Sequence, residues 1–141
     1  MDVIYSLGHS DRSPQAFIKL LQRHGIEMVA DIRRWPVSRF PQFSQEELVP
    51  LLRERSIEYT HFEALGAFRP EGYEAWIQQA AWQEAYEQLV ATAKRWTTVF
   101  MCAERSPQRC HRRFIARRLA DDGWTIIHIL DSGAAQETLA L

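Results

Sequence analysis

Residues 102–112, Cys-Ala-Glu-Arg-Ser-Pro-Gln-Arg-Cys-His-Arg, put two thiols, a carboxylate, an imidazole and three guanidiniums into one short stretch. Thiols beside an imidazole are the parts of a nucleophile, a redox pair or a zinc site. Arginines grouped with a helix start are the parts of an anion site. A carboxylate and histidines supply proton transfer.

Spacing separates these chemistries. A zinc site would draw on Cys102, Cys110, His111 and His9, but Cys-x7-Cys-His is not a usual zinc spacing and no Cys-x2-Cys knuckle occurs. A redox pair of Cys102 and Cys110 lacks the Cys-x-x-Cys signature. A cysteine phosphatase loop needs arginine where Gln108 stands, and Arg109 comes one position too late. Packing is the bland alternative for both thiols, since Cys102 ends an apolar run and Cys110 shares a helical face with Phe114. Anion recognition remains, from backbone N–H groups opening a helix at Ser106-Pro107 and from Arg105, Arg109 and Arg112. Neither G-x-G-x-x-G nor a Walker loop is present. The leading expectation is therefore a small phosphorylated or nucleotide-like ligand, with no metal and no resident cofactor assigned, and a Cys/His metal or redox site is kept as the last alternative.

The surrounding chain alternates apolar runs with amphipathic stretches. Val3-Ile4-Tyr5-Ser6-Leu7 reads as a buried strand stopped by Gly8. Ser13-Pro14 then caps a helix that ends at Gly25. Met28-Val29-Ala30-Asp31-Ile32 is a second strand. A proline-framed loop with Trp35, Phe40 and Phe43 follows it. Ser44-Gln45-Glu46-Glu47 reads as a capping box before a helix that Pro50 keeps short or bent. Residues 57–62 form a polar third strand, residues 73–96 one long helix, and residues 97–102 the strongest strand. Ser106-Pro107 opens the next helix, Gly123 ends it, residues 124–129 are the last strand, and the remainder is a tail. Short alternating units of this kind predict a single α/β domain over residues 1–141. Its architecture is a Rossmann-like open, mostly parallel sheet of five strands with helices on both faces. The strand order expected is 3-2-1-4-5, with the switch point between strands one and four.

Ligands of such sheets bind beyond the carboxyl ends of the strands. That rule collects His9 and Ser10 after strand one, Asp31 and Arg33 after strand two, and Cys102 and Glu104 after strand four. Each has a plainer alternative: His9 as a turn cap, Asp31 as the ion-pair partner of Arg33 or Arg34. The catalytic candidates are His9, Glu104 and His111. Arg33, Arg39 and Arg112 are the candidates for holding the anion.

Composition bounds the rest. The chain has 141 residues, 46% hydrophobic and 25% charged, with a formal net charge of −1. It has no run long enough to span a membrane and no signal-peptide layout at its start, so a cytoplasmic protein without membrane contact is expected. Basic charge is almost wholly arginine, fifteen Arg to two Lys, which suits fixed contacts to phosphate or carboxylate. Arginine interleaved with aromatics over residues 33–43 also suits stacked bases, unless Trp35, Phe40 and Phe43 only pin the loop against the sheet; with the arginine-rich helix from Arg109 to Arg118 it makes nucleic acid a second candidate partner. A sequence pI near 6.5 weighs against that partner. Aromatics on the helix at 73–96 make a second copy of the chain a third.

Gly8-His9-Ser10, Asp31-Ile32-Arg33, Pro36-x-Ser38-Arg39 with Pro41-x-Phe43, Tyr59, Leu65-Gly66, Cys102-Ala103-Glu104, Cys110-His111-Arg112 and His128 follow one another in order. In these motifs the chain, from Tyr5 to His128, resembles the domain of unknown function 488 family of small bacterial and archaeal α/β proteins. The resemblance implies an α/β fold and one site gathering His9, Asp31, Arg33, Cys102, Glu104, Cys110, His111 and Arg112. It implies no reaction. Ala67 departs from the family's second glycine, and its methyl group would narrow a pocket closed by that loop.

Overall fold

The structure, a computed structural model, describes residues 2–105, 110–130 and the backbone of 135–138. Five parallel strands make the sheet: β1 (Val3–Gly8), β2 (Met28–Asp31), β3 (Glu58–His61), β4 (Thr98–Cys102) and β5 (Thr125–Ile129). A short sixth strand, β6 (Ala135–Thr138), runs antiparallel along β5, where the sequence reading expected a tail. The order is β3-β2-β4-β1-β5-β6. The expected order exchanged β1 and β4, because apolar runs state which segments are buried strands but not which neighbours they take.

Helices cover both faces. α1 (Pro14–Arg23) and α2 (Gln45–Arg53) bury Phe17, Leu21, Leu48 and Leu52 against Val29, Val99 and Met101. α4 (Ala80–Arg95) and α5 (Arg112–Asp121) bury Trp82, Leu89, Ile115 and Leu119 against Ile4, Phe100 and Ile126 on the other face. The chain leaves β1 toward β2 over one face and leaves β4 toward β5 over the other. The switch point therefore does lie between β1 and β4, with the two strands in exchanged places.

Local chemistry explains most element ends. Ser13 caps α1 by accepting from the Ala16 N–H at 3.1 Å. Ser44 precedes α2 but makes no such cap; its hydroxyl accepts from the Ser38 N–H at 3.0 Å and ties down the preceding loop. α2 runs through Pro50 and is nine residues long. The expected long helix is broken into α3 (Tyr73–Trp76) and α4 by extended backbone at Gln79. The break lets Tyr73 and Trp76 donate to the Leu65 and Ala64 carbonyls at 2.8 and 2.7 Å, and Gln83 donates to the freed Ile77 carbonyl at 2.7 Å. Trp82 and Tyr86 are buried in this chain's own core. α5 begins at Arg112 rather than at Pro107; Ser106, Pro107, Gln108 and Arg109 lie outside the described residues. No helix among the described residues is long and apolar enough to cross a membrane.

Candidate functional site

The seam between β1 and β4 does not splay at the switch point. His9 and Ser10 continue the ladder, donating to the Cys102 and Ala103 carbonyls at 2.9 and 3.1 Å. Gly8 is required for this approach, since a Cβ there would sit 1.7 Å from the Glu104 carbonyl oxygen. Above the seam lies an open cleft of about 850 Å³. His9, Cys102, Cys110, His111 and Arg33 form its floor, and Arg34, Trp35, Val37, Arg39, Phe68 and Arg105 its rim.

The β2 side of the floor, which His9 joins across β4 from the end of β1, is a closed network. Asp31 is fully buried and holds Arg33 through two contacts, Nε at 2.8 Å and Nη2 at 2.6 Å. Tyr59 donates to the same carboxylate at 2.5 Å, and burial together with that carboxylate raises the phenol's pKa. Arg33 Nη1 also donates to the Phe43 carbonyl at 2.7 Å and toward His9 Nε2 at 3.4 Å. His9 in turn donates from Nδ1 to the Ser10 carbonyl at 2.9 Å and stacks on Phe43 at 4.4 Å. Burial, with the nearby Arg33 charge assisting, lowers its pKa to about 4, so this imidazole is neutral near pH 7. The ion-pair alternative for Asp31 is what the geometry displays.

The β4 side is arranged differently. His111 donates from Nε2 to the Ile32 carbonyl at 2.9 Å, which leaves Nδ1 facing Cys110 Sγ at 3.3 Å. The neighbouring Cys102 thiol, then the His111 ring, pull the Cys110 thiol well below the ordinary thiol range, against the effect of burial. Burial, then the Cys110 thiol, push Cys102 up, so Cys110 ionises first. Among the described residues no three of His, Cys, Asp or Glu converge as a metal-binding group, which leaves the zinc reading without a donor set there.

Arg112 stands elsewhere than expected. It is 1% exposed and lies behind the cleft floor, donating to Ser6 Oγ at 3.0 Å and to the Glu104 and Arg105 carbonyls at 2.8 and 3.1 Å. Ser6 also bonds His128 Nδ1. Among the described residues its partners are all neutral, so Arg112 braces the β4 exit while adding buried positive charge near the floor. Glu104 is exposed, and among the described residues its carboxylate bonds neither His9 nor His111. Ser10, at φ 50°, points its hydroxyl to Asp11 at 3.3 Å beside the cleft. Arg39 is exposed over the Phe40 ring, with no ion pair among the described residues.

The rim holds what sequence reading passed over. Phe68 has φ 63°, a left-handed conformation costly for a side chain of this size. Arg34 donates to its carbonyl, and Arg69 donates to the Gly66 and Glu63 carbonyls at 3.1 and 2.6 Å, so the turn is held from both ends. Phe68 thereby meets Trp35, with ring centroids 5.7 Å apart and planes 23° from parallel. Gly66 permits this too, because a Cβ there would lie 2.3 Å from the Arg34 nitrogen. Ala67 lines the cleft beside them. The Leu65-Gly66 motif marked the turn, but nothing in the sequence marked Phe68.

An open α/β sheet with a cleft at its switch point defines the class of protein. Residues 13–119 match the family model described as "Domain of unknown function DUF488", and the chain belongs to that family. The matched segment excludes Gly8-His9-Ser10 and His128. No curated protein and no solved structure matches the chain.

Proposed function

We propose that the cleft binds a small anionic ligand carrying a flat ring, a nucleotide-like or similarly phosphorylated molecule. One observation carries this reading. Among the described residues, the three exposed large apolar side chains, Trp35, Val37 and Phe68, all stand at this cleft, beside a lining with four arginines and two acids. An exposed apolar group rimmed by charge marks a binding surface rather than a packing defect. Arg39 would hold the anion, with Arg34 and Arg105, each also ion-paired at the rim, to Glu63 and Asp11 respectively, beside it, and the Trp35–Phe68 pair would take the ring. His111, the one floor imidazole paired with a thiol, is the proton-transfer group in this reading. His9 keeps Arg33 and the 40–43 turn in place.

A single-stranded nucleic acid is the second reading, since exposed aromatics among arginines also suit successive bases. Of the helix arginines expected to extend that surface, Arg112 is buried and Arg118 bonds Asp122 and Gln83 while lying over the Tyr86 ring, which leaves Arg113 and Arg117 exposed among the described residues.

Thermal shifts against nucleoside monophosphates, sugar phosphates, inorganic phosphate and a short single strand test both. A ligand at about a hundred times its dissociation constant adds roughly 2.7 kcal/mol, a rise of several degrees in midpoint. A selective rise with nucleotides supports the proposal, a larger and steeply salt-dependent rise with the strand supports the second reading, and no rise with any probe rejects both.

A further inference from the structure

The floor of the cleft holds a pair of thiols that anion binding does not use. Both are free, and both border the same open space. Their surroundings are unequal. Cys110 faces the Nδ1 of an imidazole whose other nitrogen is tied to a backbone carbonyl, the nucleophile–base–orienter arrangement of thiol catalysis. Cys102 points its thiol at the Glu104 carbonyl, 3.6 Å away, and has no imidazole of its own. A pair of thiols that only filled space would need neither the oriented ring nor an opening onto a cleft.

We propose that Cys110 is a nucleophilic thiolate and Cys102 its resolving thiol, so that the cleft reacts with a hydroperoxide and closes a reversible disulfide. In the first step His111 holds the proton taken from Cys110. The thiolate attacks one peroxide oxygen; an S–O bond forms, the O–O bond breaks, and the departing alkoxide or hydroxide takes the proton from His111. Cys110 is then a sulfenic acid, oxidised by two electrons, and the peroxide is reduced to an alcohol or water. In the second step the Cys102 sulfur attacks the Cys110 sulfur. An S–S bond forms, the S–O bond breaks, and hydroxide leaves as water with the Cys102 proton. A dithiol reductant reverses the oxidation. The asymmetry that favours Cys110 as the attacking group is the one expected of a reactive cysteine beside its resolving partner.

The test treats reduced protein with stoichiometric hydrogen peroxide and follows intact mass and thiol alkylation. Wild type is expected to lose two hydrogens and to protect both thiols from iodoacetamide until dithiothreitol is added. Cys102→Ser is expected to stop at a sulfenic acid on Cys110, captured by dimedone, and Cys110→Ser to stay unoxidised at the same dose. Wild type that keeps both thiols free overturns the proposal, as does Cys110→Ser oxidising as fast as wild type. Peptide mapping of unmutated protein needs no variant to fold. At pH 6 Cys110 is expected to alkylate at least about tenfold faster than Cys102. Equal rates, or the reverse order, would overturn the assignment even if every variant misfolded. Because this readout requires no anionic ligand, it succeeds or fails apart from the binding proposal.

Discussion

The two sides of the cleft floor contain similar residue types put to opposite uses. On the β2 side, Asp31, Arg33, Tyr59 and His9 answer one another's hydrogen bonds. On the β4 side and the rim, Cys110 faces an imidazole, Arg39 lies over a phenyl ring, and Trp35 and Phe68 stand exposed. A charge buried in this way persists because its partners are complete, and completeness leaves it little capacity for a ligand. Groups that border open space with capacity left are the better candidates for function. By that criterion the proposed function assigns Asp31 and His9 to the support of the cleft, and Arg39, Trp35, Cys110 and His111 to its working surface.

Removing one member of the closed network should have the largest effect. Asp31→Ala leaves the Arg33 guanidinium buried without its carboxylate and is expected to cost about 3–5 kcal/mol in urea unfolding. A loss below about 1 kcal/mol would show that the network is not closed in solution.

Acid should act next. His9 and His128 are buried, and burial lowers each to about pKa 4 from an ordinary 6.5. Between those values the unfolded chain binds more protons than the folded one, so stability is full above about pH 6.5. It falls as pH drops toward 4, by up to about 3 kcal/mol for each histidine. Unfolding titrations from pH 7 to pH 4 measure this slope, and His128→Asn should remove its share. An unchanged slope in that variant would place the proton uptake elsewhere.

Gly8→Ala tests the seam that joins the two sides. Its methyl group would meet the Glu104 carbonyl, so a loss of about 1–3 kcal/mol is expected. Unchanged stability would mean that the β4 exit can move away at little cost. Rim substitutions should have the smallest effect on folding. Trp35→Ala and Arg39→Ala are expected to change stability by about 0.5 kcal/mol or less. Either one should weaken a ring-bearing anion by about tenfold, which separates binding groups from supporting ones.

Much of this fold was legible because buried parallel strands leave apolar runs, and because polar residues just after those runs point to one edge of the sheet. Strand order was not legible, since adjacency of β4 to both β1 and β2 depends on packing that no local run encodes. The break before Ala80 was hidden because helical periodicity continues through Gln78 and Gln79, and only the tertiary bonds of Tyr73 and Trp76 justify it. Arg112 looked like a ligand arginine from its motif. Its burial against Ser6 and two carbonyls is a long-range arrangement that a helical arginine does not announce. Phe68 escaped notice for a related reason, because its strained backbone is held by Arg34 and Arg69 from outside the turn. The loop at 33–43 divides between both readings: Phe43 is a buried anchor and Trp35 is exposed at the rim.

Titration calorimetry of the reduced protein with a nucleoside monophosphate, run beside the Trp35→Ala/Arg39→Ala double variant, tests the working surface most directly. Wild type is expected to bind saturably, more tightly than it binds inorganic phosphate or the bare nucleoside, and the double variant to lose this binding while still unfolding at the wild-type urea midpoint. Equal binding by both proteins, or no binding by wild type, would contradict the binding proposal.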